Sequence, residues 1–501
     1  MISRREMFHG LLASPLLLTR ADAQLTPAAV KFRPEMEPLI SRIENTPREK
    51  CAEMAVEQLR RGVSYRQMLA ALFLAGVRNV NPRPPGFALH CVFVIYSAHL
   101  ISLEAPADSR LLPLFYALDD FKASQERDAK SKSGDYTMPA MSGAIPSPGR
   151  AAAELSEAME AWDFGRAERA VVALARSRSA NEIFAILWRY GARDYRNIGH
   201  KAIYLANACR TLQAIGWQHA EPVLRSLVSS LLDFGRDQQM NGYALDDQCY
   251  PANLKRVKDS FSRLGEIWSP GPADADATRG ILAAIRESTP DEACADTASR
   301  LIKGQASAGA VWDAIHLASA ELRMRARGGA SLASIHGMTS ANALHYAFLS
   351  APDPQARFLL LLQAVGWMGQ FRTAASARPE NLRAFAITEL EPGPEAPLES
   401  ALAETFAAVP KDVEAAAGRV FRLGRDLQGR QAFFASALRF TASKVTEVHY
   451  YKFLAALLED VPLVSAEWQP HLLASAVYYV KGSGDPEPAA MKRAREALRA
   501  L

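Results

Sequence analysis

The sequence lacks the motifs by which enzymes are most easily recognised. It has no H-E-x-x-H, no pair of E-x-x-H motifs of the kind that builds helical di-iron sites, no G-x-S-x-G, no P-loop and no G-x-G-x-x-G. The readily recognised forms of zinc protease, di-iron, serine hydrolase and nucleotide chemistry are thereby excluded. Charge excess is also scarce: 58 basic against 54 acidic residues leave a net +4 on 501 residues. So even a balance, with no long Lys/Arg run, predicts no nucleic-acid partner. The five cysteines, Cys51, Cys91, Cys209, Cys249 and Cys294, are widely spaced without a C-x-x-C, which excludes zinc-ribbon and haem-attachment readings. One or two disulfides stay open in an oxidising compartment. No alternating apolar run is bounded by hairpin turns, so strands are not expected.

The N-terminus carries an address. Ser3-Arg4-Arg5-Glu6-Met7-Phe8 resembles a twin-arginine export signal, followed by a short apolar stretch from Leu11 to Leu18 and a small-x-small site at Ala21-Asp22-Ala23. Residues 1–23 therefore read as a signal peptide and the protein as periplasmic or extracellular. The apolar stretch is too short to span a bilayer, and no membrane span is expected in the mature chain. The twin-arginine route carries folded proteins, often loaded with a cofactor.

Beyond that point apolar residues recur at three- and four-residue spacing, the pattern of helices with one buried face. The expectation is an all-α protein, a large multi-helix bundle or array of about twenty helices without significant β-sheet. Punctuation agrees: Asn81-Pro82-Arg83-Pro84-Pro85-Gly86 breaks the chain, and Thr289-Pro290-Asp291-Glu292 starts a helix. The organisation predicted is an N-terminal helical segment over 24–125, a Ser/Gly/Pro/Met-rich loop or linker over 126–148, a main helical domain over 149–481, and a C-terminal linker and helix over 482–501. Two short strings recur, Tyr-Ala-Leu-Asp-Asp at 116–120 and 243–247 and a Leu-Gln-Ala-x-Gly-Trp string at 212–217 and 362–367, but their offsets differ, which excludes a solenoid.

Histidines are the most informative residues. His90 and His99 lie in an almost wholly apolar helix, nine apart and so on opposite faces. His200, Tyr204, Asn207 and Thr211 form one stripe of a helix, suited to the wall of a polar pocket. Asp313 and His316 are three apart on a helix, where a carboxylate orients an imidazole and raises its basicity. His336 is expected in a Gly-containing loop just before a helix capped by Thr339 or Ser340, with Asn342, His345 and Tyr346 on one side of that helix.

The segment Val311-Trp312-Asp313-Ala314-Ile315-His316, with Ile335-His336-Gly337-Met338-Thr339-Ser340-Ala341-Asn342-Ala343-Leu344-His345, resembles the questin oxidase-like proteins. The family pattern H-x-x-T-x-x-x-A-L falls here on His336, Thr339, Ala343 and Leu344, and the His200-Lys201 and His90/His99 helices look like further family histidine segments. The resemblance implies a helical fold with histidines at helix starts. It also implies oxidative chemistry on quinone-like rings, which in fungal members draws on NADPH; an exported protein would need another electron source.

Two readings follow. In the first, the protein is an oxidoreductase or oxygenase acting on a phenolic or quinone-like small molecule. Its pocket is lined by His200, His316, His336 and His345, with Asp313 orienting His316, one histidine acting as base, and a metal among them as a variant. In the second, it is a non-catalytic periplasmic binding or scaffold protein whose histidines are core hydrogen-bonders. No cofactor and no oligomeric state is assigned by the sequence. Convergence of three or more of those histidines within a few ångströms on one cavity sharply weakens the second reading; scatter on separate faces defeats the first.

Overall fold

The periodic apolar spacing folds, in a computed structural model, as 22 α-helices with short 3₁₀ turns among the described residues. The structure describes residues 28–499 apart from 131–134, 234–248, 266–267, 269–273, 329, 378 and 410. The export signal over 1–23 and the second Tyr-Ala-Leu-Asp-Asp string at 243–247 lie outside the described residues. Among those described, extended pairing is confined to two isolated bridges, Ala29 with Pro139 and Ala326 with Leu382. The protein is thus an all-α multi-helix array. Its buried apolar residues form a contiguous cluster that runs from Val30 to Ala494.

Capping chemistry sets many boundaries. Ser64, Ser179 and Thr289 each accept from the backbone N–H three residues on, while Gln67, Glu182 and Glu292 reach back, the reciprocal box that satisfies two orphan donors at a helix start. Thr46-Pro47 separates the helix Glu37–Asn45 from Cys51–Arg60.

Four helices build the interior around the histidines. His90–Glu104 is apolar and buried on nearly every side, and packs against Leu112–Ala129, His200–Ile215 and His449–Asp460. The window Phe87–Glu104 is long and apolar enough to cross a membrane by length and composition, yet 61% of it is buried inside the fold, as expected of a core helix. Ala330–Ser350 packs against Ala308–Arg325, Pro354–Ser376, His200–Ile215 and His449–Asp460.

One local expectation is corrected. His336 is not in a loop before a helix: the helix begins at Ala330 and runs through His336, Thr339 and Ser340 without a break. Thr339 is interior, its hydroxyl donating back to the Ile335 carbonyl, and Gly337 faces the Phe371 ring of the neighbouring helix. Packing on both sides overrides the glycine and hydroxyl signals that read as a helix start. The final helix is packed onto the body. Ala489–Leu498 packs on Cys51–Arg60 and Leu112–Ala129 through buried Met491 and Ala494.

The far part of the 126–148 stretch is strapped to the beginning of the described chain. Val30 N–H donates to the Met138 carbonyl, Ala140 N–H to the Ala28 carbonyl, and Met138 N–H to the Arg78 carbonyl.

Candidate metal centre

Three of the four α-helices that meet at the centre contribute a histidine from their first residue: His90, His200 and His449. The fourth supplies His336 from its middle. The position of His200 depends on an unusual approach. Asn197, Ile198 and Gly199 have φ of 55°, 50° and 81°, three left-handed residues in succession. A β-branched residue in that region is strained, by roughly 1–2 kcal/mol. Glycine is required at 199, because a Cβ there would collide with Ser340 Oγ. The turn is stapled from behind by Lys201, wholly buried, whose ammonium donates to Asp194 Oδ2 at 2.9 Å and to the Asp233 carbonyl at 2.8 Å.

The ring nitrogens converge. His200 Nε2 lies 2.8 Å from His90 Nε2 and 2.9 Å from His336 Nε2, all three side chains being buried. A neutral imidazole nitrogen carries either one hydrogen or one lone pair, so His200 Nε2 cannot make two good hydrogen bonds at once. His336 Nδ1–H donates to the Leu332 carbonyl at 2.8 Å, which leaves its Nε2 as a bare lone pair. His449 is held in the same way: Nδ1–H donates to Glu447 Oε2 at 2.6 Å, and its Nε2 is buried without a partner among the described residues. The His449 ring centroid lies 4.7 Å from that of His90 and 5.0 Å from that of His336.

Electrostatics keeps these rings neutral. Burial pushes His90, His200 and His336 well below the ordinary histidine range, and the Lys452 ammonium adds to the effect. Burial lowers His449 too, against the pull of Glu447. Lys452, one turn along from His449, is fully buried, has no hydrogen-bond partner among the described residues, and is pushed down by burial to about 7.

Neutral imidazoles with converging lone pairs are the donor set of a transition-metal site, and one ligand atom from each of His90, His200 and His336 lies within 4.8 Å of the other two. The spacing bears on geometry. At a metal–nitrogen distance of about 2.1 Å, tetrahedral ligands sit about 3.4 Å apart and adjacent octahedral ones about 3.0 Å apart. The observed 2.8 and 2.9 Å are closer to the spacing of adjacent octahedral ligands than to the tetrahedral one.

His90 also forms the inner wall of a cavity of about 210 Å³, with Arg48, Phe87, Tyr116, Asp120, Arg127 and Glu447 around it. Phe87 is 62% exposed, so the cavity reaches from the surface to the cluster. Arg48 forms a bidentate pair with Asp119 at the mouth, and the Arg127 guanidinium lies over the Phe87 ring. Burial raises the Asp120 carboxyl to about 7.

The histidines singled out from sequence do not share one cavity; they divide into two pairs. His200 and His336 join His90 and His449. His316 and His345 lie together elsewhere, His316 Nε2 being 2.9 Å from His345 Nδ1. The expectation that Asp313 orients His316 is corrected. Asp313 accepts from Ser465 N at 2.9 Å and from Ser465 Oγ at 2.5 Å, so it is turned toward the segment before Gln469–Ala474. The carboxylate beside His316 is Asp460, 3.6 Å from its Nδ1. Three apart on a helix permits contact but does not require it, and each side chain found a nearer partner.

The stripe of His200, Tyr204, Asn207 and Thr211 is buried rather than a pocket wall over its whole length. Tyr204 donates to Ser226 Oγ, Asn207 to the Phe93 carbonyl and Thr211 to the Asn207 carbonyl. The cavity beside Asn207 is only about 10 Å³, room for about one water. His99 stands apart on the other face of its helix, paired with the Tyr65 hydroxyl. His449 and Lys452 were not singled out from the sequence. The signal for them was a lysine inside Tyr450-Tyr451-Lys452-Phe453-Leu454, an otherwise apolar helical run.

No protein-family model, no curated protein and no solved structure matches this chain.

Proposed function

We propose that this protein is an exported, metal-dependent oxidoreductase or oxygenase acting on a phenolic or quinone-like small molecule. The single pocket of His200, His316, His336 and His345 is not formed, and the reading rests instead on a different cluster: His90, His200 and His336 would hold a transition metal, with His449, oriented by Glu447, as the adjacent base. The observation that carries the reading is the pair of contacts made by His200 Nε2, to His90 at 2.8 Å and to His336 at 2.9 Å, which hydrogen bonding alone cannot satisfy.

Charge supports an anionic oxygen ligand. Three imidazoles bring no negative charge to a divalent ion, and Lys452 and the N-termini of three helices add positive potential. A divalent metal held there would favour an anionic oxygen ligand such as a phenolate or hydroxide, and would supply Lewis acidity that lowers the pKa of a hydroxyl. His449 Nε2, a buried lone pair with its ring fixed by Glu447, is placed to take the proton. The cavity suits such a substrate, with Phe87 and Tyr116 as ring surfaces and Arg48 and Arg127 at the mouth for anionic substituents. The export reading rests on Ser3-Arg4-Arg5 and the cleavage-like Ala21-Asp22-Ala23, and accords with a route that carries loaded, folded enzymes. The resemblance to questin oxidase-like proteins points to the same substrate class.

The test is to express the chain with its signal segment, purify it from the periplasm, and measure metal content and visible absorption together. The expected result is a stoichiometric metal that is lost in His336→Ala and His200→Ala. A folded, colourless protein free of metal after growth with iron, copper, manganese and zinc would overturn the reading and leave the binding-protein alternative.

A further inference from the structure

Asp460 is a buried carboxylate without a cation. Its Oδ1 accepts one hydrogen bond, from Asn342 Nδ2 at 2.9 Å, and no lysine or arginine pairs with it among the described residues. Burial holds it well above the usual carboxylate range. Carboxylates in such surroundings are normally paired or bound to metal, because an isolated buried charge is costly. Its neighbours are two buried imidazoles, and one ligand atom from each of His316, His345 and Asp460 lies within 4.8 Å of the other two.

We propose that His316, His345 and Asp460 form a second transition-metal site, separate from the imidazole cluster and beside a cavity of its own. The ligands come from three helices, Ala308–Arg325, Ala330–Ser350 and His449–Asp460. The 2.9 Å between His316 Nε2 and His345 Nδ1 is again the spacing of adjacent octahedral positions, about 3.0 Å for metal–nitrogen bonds of about 2.1 Å. Asp460 Oδ2 lies 3.6 Å from the other ring nitrogen of His316, Nδ1, and two imidazoles with a carboxylate are the donor set that binds ferrous iron and leaves positions open for exogenous ligands.

The surroundings fix each ligand. Trp312 stacks on the His345 ring at 4.1 Å between centroids and 8° between planes. Asn342 donates to both Asp460 Oδ1 and Glu459 Oε2, and Arg210 donates to Asn342 Oδ1 and Glu459 Oε2. This network orients the carboxylate from behind, as outer partners of metal ligands do. Beside His345 lies a cavity of about 320 Å³ lined by His345, Trp312, Phe348, Leu349, Leu463 and Arg357. That is a largely apolar space, unlike the acid- and arginine-lined cavity at His90.

The two sites share two helices but lie well apart along each: on His449–Asp460 the two end residues are eleven apart, about 16 Å along the axis. His336 and His345 are nine residues apart on one helix, which places them on opposite sides and about 13 Å apart along the axis. Each is therefore removable without the other. Protein stripped with chelator would be reloaded with ferrous iron under nitrogen, and bound iron counted per chain. Two equivalents are expected for the wild type, one for His345→Gln, one for Asp460→Asn, one for His336→Ala, and none for His336→Ala/His345→Gln. His99→Gln, outside both sets, should retain two. Circular dichroism melts of each variant separate lost ligands from lost folding, and Asp460→Asn preserves shape if His345→Gln misfolds. One equivalent in the wild type that persists in both His345→Gln and Asp460→Asn would overturn the second site while leaving the imidazole cluster standing. One equivalent lost in those variants and kept in His336→Ala would do the reverse.

Discussion

His200 and His336 lie 136 positions apart in the chain, yet their Nε2 atoms are 2.9 Å apart in the core. The contact joins the first residue of one helix to the middle of another. It depends on the left-handed turn Asn197-Ile198-Gly199, which delivers His200 at the level of Ser340.

That dependence is testable at glycine. Gly199 and Gly304 both have positive φ, 81° and 68°, but a Cβ at 304 meets nothing within 4 Å while one at 199 collides with Ser340 Oγ. Gly304→Ala should cost about 1–2 kcal/mol, the ordinary left-handed penalty. Gly199→Ala should cost about 2–4 kcal/mol and reduce metal affinity as well. Urea unfolding with parallel metal titration measures both, and equal losses in the two variants would contradict the role assigned to the turn.

The buried amine of Lys452 should make the fold less stable than it could be. Its proton is held weakly in the folded chain, at about 7, against about 10.4 for an unfolded lysine. The unfolded chain then binds the extra proton over that interval. The penalty is full below pH 7 and fades as pH rises toward 10. Lys452→Met should raise stability by about 2–4 kcal/mol at pH 6, by less at pH 9, and lower turnover. A variant no more stable at pH 6 than the wild type would show the ammonium to be solvated or paired.

Asp120 has the opposite sign. Burial raises its carboxyl to about 7 from an ordinary 3.8, so between those values the folded chain holds a proton that the unfolded chain has lost. Stability contributed by the neutral acid is present below pH 4 and is lost as pH rises to 7, at up to about 1.4 kcal/mol per pH unit. Asp120→Asn should flatten this part of the stability–pH curve in chelator-treated protein, read from urea midpoints between pH 4 and 8. An unchanged slope would place the effect elsewhere.

Cys249 and Cys294 should form a disulfide on mild oxidation. Both thiols are free and buried, and a Cβ added at Gly366 would meet Cys249 Sγ at 2.8 Å and Cys294 Sγ at 3.1 Å, so the two sulfurs are neighbours. Five titratable thiols in the denatured, reduced chain should fall to three after treatment with diamide, and Cys249→Ser should abolish the change. Retention of all five would show the pair to be out of bonding geometry.

The fold class was readable from sequence because helix periodicity is a local property. Residues three and four apart share a face wherever the helix ends up, and caps such as Thr289 with Glu292 act within one turn. Boundaries were less legible where packing outweighed local chemistry, as at Gly337, Thr339 and Ser340, which read as a helix start and lie inside a helix.

The sequence by itself determined that the chain is helical and that its histidines sit in apolar surroundings where each needs a partner. Which histidine meets which was decided only by tertiary structure. His200 and His336 were joined by His90 and His449, and His316 and His345 by Asp460 in place of Asp313. Partners such as His316 and His345, 29 positions apart, and His200 and His336, 136 apart, come together only when helices pack, and the direction of each side chain depends on the neighbours that packing supplies. Lys452 carries the same lesson. Its place in the sequence marks a charge in an apolar helix, but its isolation beside four imidazoles comes from how four helices meet.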